Sequence, residues 1–268
     1  MRSLFLKFEL GVVMLPPISL YIIGHNEEQN LRELLPTVKW ADEILYVDSF
    51  STDGTAKLCA ENGVRHVNGP FEGFGKLRNK AIEFTSHDWI VSIDTDERST
   101  PEFADEVRNV LKAPRHDAYF VPRRNTVLGR PMRHSGMYPD YRQPQVFNRR
   151  EFRYRDELVH ESFDCTGTVG YFKSFIWQHP FPTLHVALAK GERYTTLMAQ
   201  RKLQQGQKSS FARMFLHPVA AFAKKYLIQQ GFRDGAPGFI IAMLHSHYTF
   251  LKYAKLWELQ HGSPAAKP

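Results

Sequence analysis

The chain has 268 residues, of which 43% are hydrophobic and 24% charged, and this is the composition of a folded protein. Its two cysteines, Cys59 and Cys165, exclude a disulfide framework or a cysteine-based zinc cluster and favour a reducing compartment. No apolar stretch reaches the roughly 18–20 residues that a membrane-spanning helix needs.

The net charge of +7 is distributed unevenly. Between Lys190 and Arg233, nine basic residues stand against one acidic residue, Glu192, so this segment carries +8 and the remainder is near −1. The basic character therefore belongs to the C-terminal third.

Residues 1–17 are interpreted as a short N-terminal appendage. They resemble a signal peptide, but Lys7 and Glu9 interrupt the apolar region and no small-residue cleavage site follows. Met14 lies just before the first predicted strand, which indicates that residues 1–13 are an alternative, misplaced start of the chain.

From residue 18 to about residue 100, predicted strands alternate with predicted helices. The strands are Ile18–Gly24, Glu43–Asp48, Val64–Val67 and Asp88–Asp94, and the helices are Glu28–Lys39, Thr55–Asn62 and Lys76–Phe84. Pro36 is expected to kink or end the first helix, and Gly63 to cap the second. The alternation predicts an α/β fold with a parallel, right-handed βαβ sheet.

The pattern changes in the second half of the chain. Thr100-Pro101 predicts the start of a further helix, and strands are expected at Ala118–Arg123 and Gln145–Asn148, separated by a long loop. Helical periodicity then dominates from His185 to about Leu259, with Gly231, Gly235 and Gly238 marking a tight turn.

These patterns predict an α/β domain over residues 18–182, with strands and helices alternating over 18–100 and a different pattern over 101–182. A basic helical extension is expected over 183–261, followed by a disordered tail over 262–268.

Polar groups follow three of the predicted strands: Asn26-Glu27-Glu28, Asp48 and Asp94-Thr95-Asp96. Because ligands of doubly wound sheets bind beyond the carboxyl ends of the strands, we expect these groups to line one cleft. Asp94 and Asp96 would face one side if the strand stays extended, and a divalent cation shared with substrate phosphates would relieve their repulsion. A nucleotide bound in this cleft would also need a basic group nearby, which Lys76 or Arg78 could supply.

Four segments together resemble the family 2 glycosyltransferases, which have the GT-A fold. They are IIGHNEEQNL (22–31), ILYVDSFSTDGT (44–55), GFGKLRNKAI (73–82) and WIVSIDTDE (89–97). The later segments VHES (159–162), QQGFRDG (229–235) and KYAKLWE (252–258) look like the bacterial branch of β-1,4-glucosyltransferases that adds a sugar to the lipopolysaccharide core.

The resemblance implies that residues 18–182 are a catalytic domain with a nucleotide-binding half (18–100) and an acceptor half (101–182). It also implies which residues bind the nucleotide of a UDP-sugar. Asp48 would hydrogen-bond the uracil, and Asn26 and Glu27 would shape the floor of the pocket. Arg78 would face the pyrophosphate or the base.

The resemblance also implies a Mg²⁺ or Mn²⁺ ion bound directly by Asp96, with Asp94 touching the ribose or a metal-bound water. Inverting transfer needs a base that takes the proton of the acceptor hydroxyl. Glu161 is the first candidate, with His160 orienting it or serving as a further metal ligand, and Asp140 is the competing base.

The chain departs from the family after this loop. The family often has an Arg-Leu-Phe strand where this chain has Gln145-Val146-Phe147. Arg142 would supply the missing cation from a shifted position, or the contact is absent.

Tyr194–Gln204 and Phe211–Gln229 combine Lys and Arg with apolar residues at helical spacing, a pattern typical of helices in a membrane interface. The alternative is a helical lid on the catalytic domain with a solvated basic face. The charge of +8 favours a surface role, and we expect contact with the anionic inner leaflet. Phe239–Leu259 is predicted to be amphipathic and too polar to span a membrane.

The predicted function is inverting, metal-dependent transfer of a hexose, with glucose as first candidate, from a UDP-sugar to a lipid-linked saccharide such as lipopolysaccharide core. The enzyme would be cytoplasmic and peripheral on the membrane. A sugar-nucleotide nucleotidyltransferase is an alternative, but its Gly-rich basic loop is replaced by an acidic one. The pI of 9.3 suggests a basic nucleic-acid- or membrane-binding protein. Acidic strand ends argue against a nucleic-acid partner.

Overall fold

The computed structural model of the protein describes residues 15–155 and 162–262. The strands of this part of the chain are β1 (Ile18–Gly24), β2 (Glu43–Asp48), β3 (Arg65–Asn68), β4 (Trp89–Ser92), β5 (Glu97–Arg98), β6 (Ala118–Phe120), β7 (Arg123–Val127), β8 (Arg130–Pro131), β9 (Val146–Asn148), β10 (Phe152–Tyr154), β11 (Phe163–Cys165), β12 (Val169–Tyr171) and β13 (Ile176–Phe181). The helices are α1 (Glu28–Val38), α2 (Thr55–Glu61), α3 (Phe74–Phe84), α4 (Pro101–Val110), α5 (Leu184–Gln204), α6 (Phe211–Ala223) and α7 (Gly235–His261). Most of the predicted appendage, the tail after Gly262 and the segment 156–161 lie outside the described residues.

The larger sheet has seven strands in the order β12-β6-β9-β4-β1-β2-β3. Strand β1 pairs in parallel with β2 and β4, and β2 pairs in parallel with β3. Strand β9 runs antiparallel to its neighbours β4 and β6. The predicted α/β fold with a mainly parallel sheet is therefore confirmed, and the antiparallel strand makes the sheet mixed.

The sheet is covered by helices on both faces. Side chains along β1 alternate between these faces, as in any strand. Ile22 packs with Leu31 and Leu34 of α1 on one face, whereas Tyr21 belongs with Leu77 of α3 to the core on the other. Because both faces are buried, β1 has a continuous apolar sequence.

Helix α1 ends at Val38, two residues after Pro36, so the proline lies in the last turn of the helix. One local prediction differs from the structure. The expected loop between Ala118–Arg123 and Gln145–Asn148 contains β7 and β8. Strand β7 is held by pairing with β13, about fifty residues later, and local sequence patterns do not reveal such a partner.

A second sheet, with the order β5-β13-β7-β8, connects the larger sheet to the C-terminal helices. Val127 and Met132 from this sheet region share a buried apolar cluster with Ala187 of α5 and with Ile241 and Leu244 of α7. The helices of the C-terminal third therefore rest on the second sheet. None of the helices in the described ranges is both long enough and apolar enough to cross a bilayer.

Helices α5 and α7 approach each other closely at Gly191. The hydroxyl of Tyr248 donates a hydrogen bond to the carbonyl oxygen of Ala187, at 2.6 Å. A Cβ atom added at Gly191 would lie 2.0 Å from a ring carbon of Tyr248. The absence of a side chain at residue 191 thus allows this helix pair to form.

We expect Gly191→Ala to lower the free energy of unfolding by about 1–3 kcal/mol, because the ring of Tyr248 has to move to accommodate a methyl group. Urea denaturation of the full chain measures this change. In a Tyr248→Ala background the same substitution should cost much less, since the ring is gone. Equal costs in both backgrounds would contradict the packing argument.

Candidate functional site

The carboxyl ends of β1, β2 and β4 lie side by side in the larger sheet, and we call this end, with the loops 25–27, 49–54 and 93–97, the carboxyl edge. The register pairs Gly24 with Asp48, and Tyr21 with Ser92. Ser49 donates its backbone N–H to the carbonyl oxygen of Gly24 at 2.9 Å, which ties the first two loops together. The predicted grouping of polar strand ends at one edge is therefore present in the structure.

Asn26 joins the loops after β1 and β2. Its backbone has a φ of 56°, a left-handed conformation that asparagine adopts more readily than most residues. Its side-chain oxygen accepts a hydrogen bond from the N–H of Thr52 at 2.7 Å, and its own N–H donates to the hydroxyl of Ser51 at 2.7 Å. Asn26 therefore connects the loop after β1 to the loop after β2.

Asp48 is only 1% exposed at the end of β2, and both of its oxygens are held. Oδ1 accepts hydrogen bonds from the N–H and the hydroxyl of Ser51, at 2.8 and 2.6 Å. Oδ2 lies 2.8 Å from Nε2 of His66 on the neighbouring strand β3, and the imidazole stacks on Tyr46. The carboxylate is thus fixed in orientation, and a carboxylate with four lone-pair sites can accept a further N–H or O–H group.

The segment after β4 is a turn, so the strand predicted over Asp88–Asp94 ends earlier and the chain does not stay extended through Asp96. Strand β4 ends at Ser92, and the N–H of Glu97 donates to the carbonyl oxygen of Asp94 at 2.9 Å. The side chains of Asp94 and Asp96 consequently have different partners instead of facing one side together. The local cause is Glu97, whose carboxylate accepts the N–H of Asp94 at 2.9 Å and closes the turn.

Asp94 forms an ion pair with Arg78 of α3. The guanidinium is 3% exposed, and it donates to Asp94 Oδ1 at 2.7 Å and to the hydroxyl of Ser92 at 3.0 Å. Burial acts to raise the pKa of the Asp94 carboxyl, but the guanidinium groups of Arg78 and Arg123 outweigh it and hold that pKa below its usual value. Asp94 and Arg78 therefore form one ionised unit at the carboxyl edge.

Glu97 is completely buried beneath this turn. Its carboxylate accepts hydrogen bonds from Arg123 Nε at 2.5 Å and from Gln145 Nε2 at 2.9 Å. Burial raises the pKa of Glu97 to about 7, while the Arg123 guanidinium opposes the rise. Gln145 is the residue at which the chain departs from the Arg-Leu-Phe strand of the family, and here its amide supports the turn.

Asp96 faces the second sheet and α5. Its Oδ2 lies 3.1 Å from Lys190 Nζ, and its Oδ1 lies 3.4 Å from Nε2 of Gln178. Its carbonyl oxygen accepts the N–H of His179 at 2.8 Å. Glu27 is close enough to be affected: burial raises the pKa of the Glu27 carboxyl, Asp96 raises it further, and Lys190 lowers it. Asp96, Glu27 and Lys190 thus form one charged cluster.

Asp140, the competing base, lies beside the second sheet and is engaged by a guanidinium. Its Oδ2 accepts from Arg142 Nε at 3.0 Å, from Arg142 Nη2 at 2.8 Å and from Asn125 Nδ2 at 3.3 Å. Burial lowers the pKa of Arg142, but Asp140, Glu97 and Asp94 together raise it. Arg142 therefore serves Asp140 and lies within electrostatic reach of Asp94.

Among the described residues, Lys76 is a predicted site residue that is not brought into this group. Lys76 is exposed on the first turn of α3, where its ammonium lies 3.6 Å from Glu72. His160 and Glu161 lie outside the described residues. No site role was predicted for His66, His179 or Lys190. Strand pairing brings the two histidines to the edge, and helix packing brings Lys190 there, and neither leaves a local signal in the sequence.

The described side chains could supply only some of the ligands that a divalent cation needs. Within residues 15–155 and 162–262, no group of three or more His, Cys, Asp or Glu side chains is arranged to bind a metal ion. Mg²⁺ usually keeps several waters and binds through one or two carboxylates together with substrate phosphates. Asp96, whose side chain is 17% exposed and contacts Lys190 and Gln178, fits that smaller role for an ion that arrives with a diphosphate.

The chain matches known proteins both in sequence and in structure. The family model described as "Glycosyl transferase family 2" matches residues 19–179. The "Lipopolysaccharide core biosynthesis glycosyltransferase LpsC" of Rhizobium meliloti (strain 1021) is 30% identical over 254 residues, which cover 90% of this chain and 92% of the relative. An "Uncharacterized glycosyltransferase" of Rickettsia bellii (strain RML369-C) is 26% identical, over 90% of this chain and 86% of the relative. The crystal structure of S. aureus TarS 1-349 in complex with UDP-GlcNAc is 15% identical, covers 92% of both chains and has a TM-score of 0.48.

We expect Arg78→Met to raise the pKa of the Asp94 carboxyl from its depressed value, because burial remains while the adjacent guanidinium is lost. A depressed folded-state pKa contributes stability above the unfolded-state pKa of about 3.9, and this contribution is lost as the pH falls through the folded-state value. The variant should therefore lack this contribution at neutral pH. Carboxyl ¹³C NMR titration of Asp94 measures the shift, with Arg153→Met as a control for an exposed arginine. An unchanged Asp94 titration would contradict the assignment.

Proposed function

Because the chain belongs to glycosyl transferase family 2, we propose that it transfers a hexose, with glucose as the first candidate, from a UDP-sugar to a lipid-linked saccharide such as lipopolysaccharide core. The observation that carries the donor assignment is the grouping of Asp48, the Asp94–Arg78 pair and Asp96 at adjacent parallel strand ends. The LpsC relative, by its name, acts in lipopolysaccharide core biosynthesis, and this supports the acceptor class.

The nucleotide would lie across the first two strand ends. Asp48, fixed by Ser51 and His66, would accept the imide N–H of uracil, because a carboxylate held on both sides accepts without reorganising. Asn26 and Glu27 would form the floor beneath it. The Asp94–Arg78 unit would face the ribose and the first phosphate.

The diphosphate would reach Asp96 at the end of the turn. A bound Mg²⁺ or Mn²⁺ ion would neutralise charge on the leaving diphosphate, and Asp96 is its proposed protein ligand. His160, which lies outside the described residues, stays a proposed further ligand. Lys76, exposed on α3, would need to turn from Glu72 to reach a phosphate.

The chemical step is inverting. The acceptor hydroxyl oxygen forms a bond to the anomeric carbon, the bond from that carbon to the diphosphate oxygen breaks, and a base takes the hydroxyl proton. We assign this base to Glu161, since the Asp140 carboxylate already accepts two hydrogen bonds from Arg142. UDP leaves with the electron pair of the broken bond.

A lipid-linked acceptor would require the enzyme to work at the inner face of the cytoplasmic membrane. An apolar patch on α6 and α7 supports this: Phe211, Phe215, Leu216 and Val219 are 81%, 62%, 61% and 55% exposed. Phe211, Phe215 and Val219, together with Phe250 of α7, line a groove of about 360 Å³. Basic residues border the patch in sequence, among them Lys208, Arg213, Lys224 and Lys225. Exposed apolar side chains beside cations suit a bilayer surface with anionic headgroups.

The donor assignment predicts metal-dependent UDP binding. After treatment with EDTA, we expect calorimetry to show UDP binding that is strengthened by Mn²⁺. Asp96→Asn should reduce the affinity in Mn²⁺ by about 10- to 100-fold, the loss typical when a group supporting a metal site is removed. Asp105→Asn, which removes one exposed carboxylate from α4, serves as the matched control. A folded wild-type protein that binds no UDP would refute the assignment, and turnover of UDP-hexoses with lipid-linked acceptors then identifies the sugar.

The membrane assignment predicts that the double variant Phe211→Ser, Phe215→Ser binds vesicles more weakly. Full burial of each ring is worth about 1.5–3 kcal/mol, so even partial insertion should make the loss about tenfold or more. Co-sedimentation with vesicles containing phosphatidylglycerol measures it, with Tyr171→Ser as a control for an exposed aromatic residue elsewhere. Undiminished binding by the double variant would show that the patch does not contact lipid.

A further inference from the structure

We propose that Lys190 of α5 is a ligand for the diphosphate of the donor. This inference rests on the proposed function, because it adds a residue to the same donor site. The ammonium of Lys190 lies 3.1 Å from Asp96 Oδ2. Burial raises the pKa of the Glu27 carboxyl and Lys190 acts to lower it, so this cation lies within electrostatic reach of a second carboxylate.

Lys190 differs from the other cations of the carboxyl edge in its accessibility. The side chains of Arg78 and Arg123 are 4% and 1% exposed, and they are held by the carboxylates of Asp94 and Glu97. The Lys190 side chain is 40% exposed and makes one ion pair, to a carboxylate that is 17% exposed. An ion pair in contact with solvent contributes little to folding, so folding stability does not account for a lysine here.

The chemistry of the site accounts for it better. A diphosphate bound beside Asp96 would place anionic oxygens next to the ammonium, and the Asp96 carboxylate would hold the cation that accompanies it. Lysine carries a compact charge on a flexible four-carbon stem, and it binds phosphate as a point charge. Lys190 would exchange the Asp96 carboxylate for a phosphate oxygen and then stabilise the negative charge that develops on the leaving UDP.

The position of Lys190 also makes the C-terminal helices part of the donor site. The next residue, Gly191, is the point at which α5 packs against Tyr248 of α7, and the start of α5 is capped by the Thr183 side chain, which accepts the N–H of Val186. These contacts hold the backbone at residue 190, while the Lys190 side chain is 40% exposed. The helices that carry the apolar patch and the residue that meets the diphosphate thus belong to one packed unit.

The test compares Lys190→Gln with Arg193→Gln, which removes the same charge from an exposed position one turn along α5. UDP, UMP and uridine are titrated into each full-length protein with Mn²⁺, and thermal unfolding confirms that each is folded. We expect Lys190→Gln to weaken UDP about tenfold or more, as for loss of a hydrogen bond between charged groups, while UMP and uridine change little. Arg193→Gln should behave like the wild type. Lys190→Arg, which keeps a cation on the helix, should retain most of the UDP affinity.

Three results would overturn the inference. Unchanged UDP binding by Lys190→Gln would show that the ammonium does not meet the diphosphate. Tighter UDP binding would show that Lys190 only competes for Asp96. An equal loss for UDP, UMP and uridine would indicate a general disturbance of the pocket. If the wild-type protein binds no UDP, the proposed function itself fails, and this outcome is distinct from the other three.

Discussion

The buried carboxylate of Glu97 is the interaction on which the rest of the site depends. It collects the N–H of Asp94, the amide of Gln145 and the guanidinium of Arg123 in one place without contact with water. These three groups come from the turn after β4, from the residue before β9 and from β7, so one side chain joins the two sheets. A buried charge needs such partners, because an unpaired one would be costly. The geometry of the turn that carries Asp94 and Asp96 follows from this requirement.

Each carboxylate of the site has its own partner, which explains how so many acids can lie close together. Asp94 meets Arg78, Asp140 meets Arg142, and Asp96 meets Lys190, while Asp48 meets His66. The cations differ in exposure, from the Arg78 side chain, which is 4% exposed, to those of Lys190 and Arg142, which are 40% and 51% exposed. In the proposed reaction the buried guanidinium of Arg78 holds Asp94 in place as part of a preorganised frame. Lys190 would exchange the Asp96 carboxylate for substrate oxygens.

The C-terminal helices serve two purposes in this arrangement. Their inner side packs on the second sheet through Ala187, Ile241 and Leu244, and it delivers Lys190 to Asp96. Their outer side leaves the rings of Phe211 and Phe215 in contact with solvent. Large exposed apolar patches usually mark an interaction site. The proposed membrane contact and the proposed donor contact would therefore act through the same helices, so that a lipid-linked acceptor and a UDP-sugar would meet on the same helical unit.

The sequence alone determined the parallel strands β1 to β4, the helices between them and the acids that follow the strands, since apolar runs, helical periodicity and the Thr100 cap are local signals. The four family segments pointed to the same family that the comparisons show. Only the tertiary structure shows which groups those acids contact and that a turn follows β4 directly. Arg78 and Asp94 are 16 residues apart, and Lys190 and Asp96 are 94 apart. Contacts over such separations are selected by strand pairing and helix packing, which depend on the whole fold and leave no periodic trace in the local sequence.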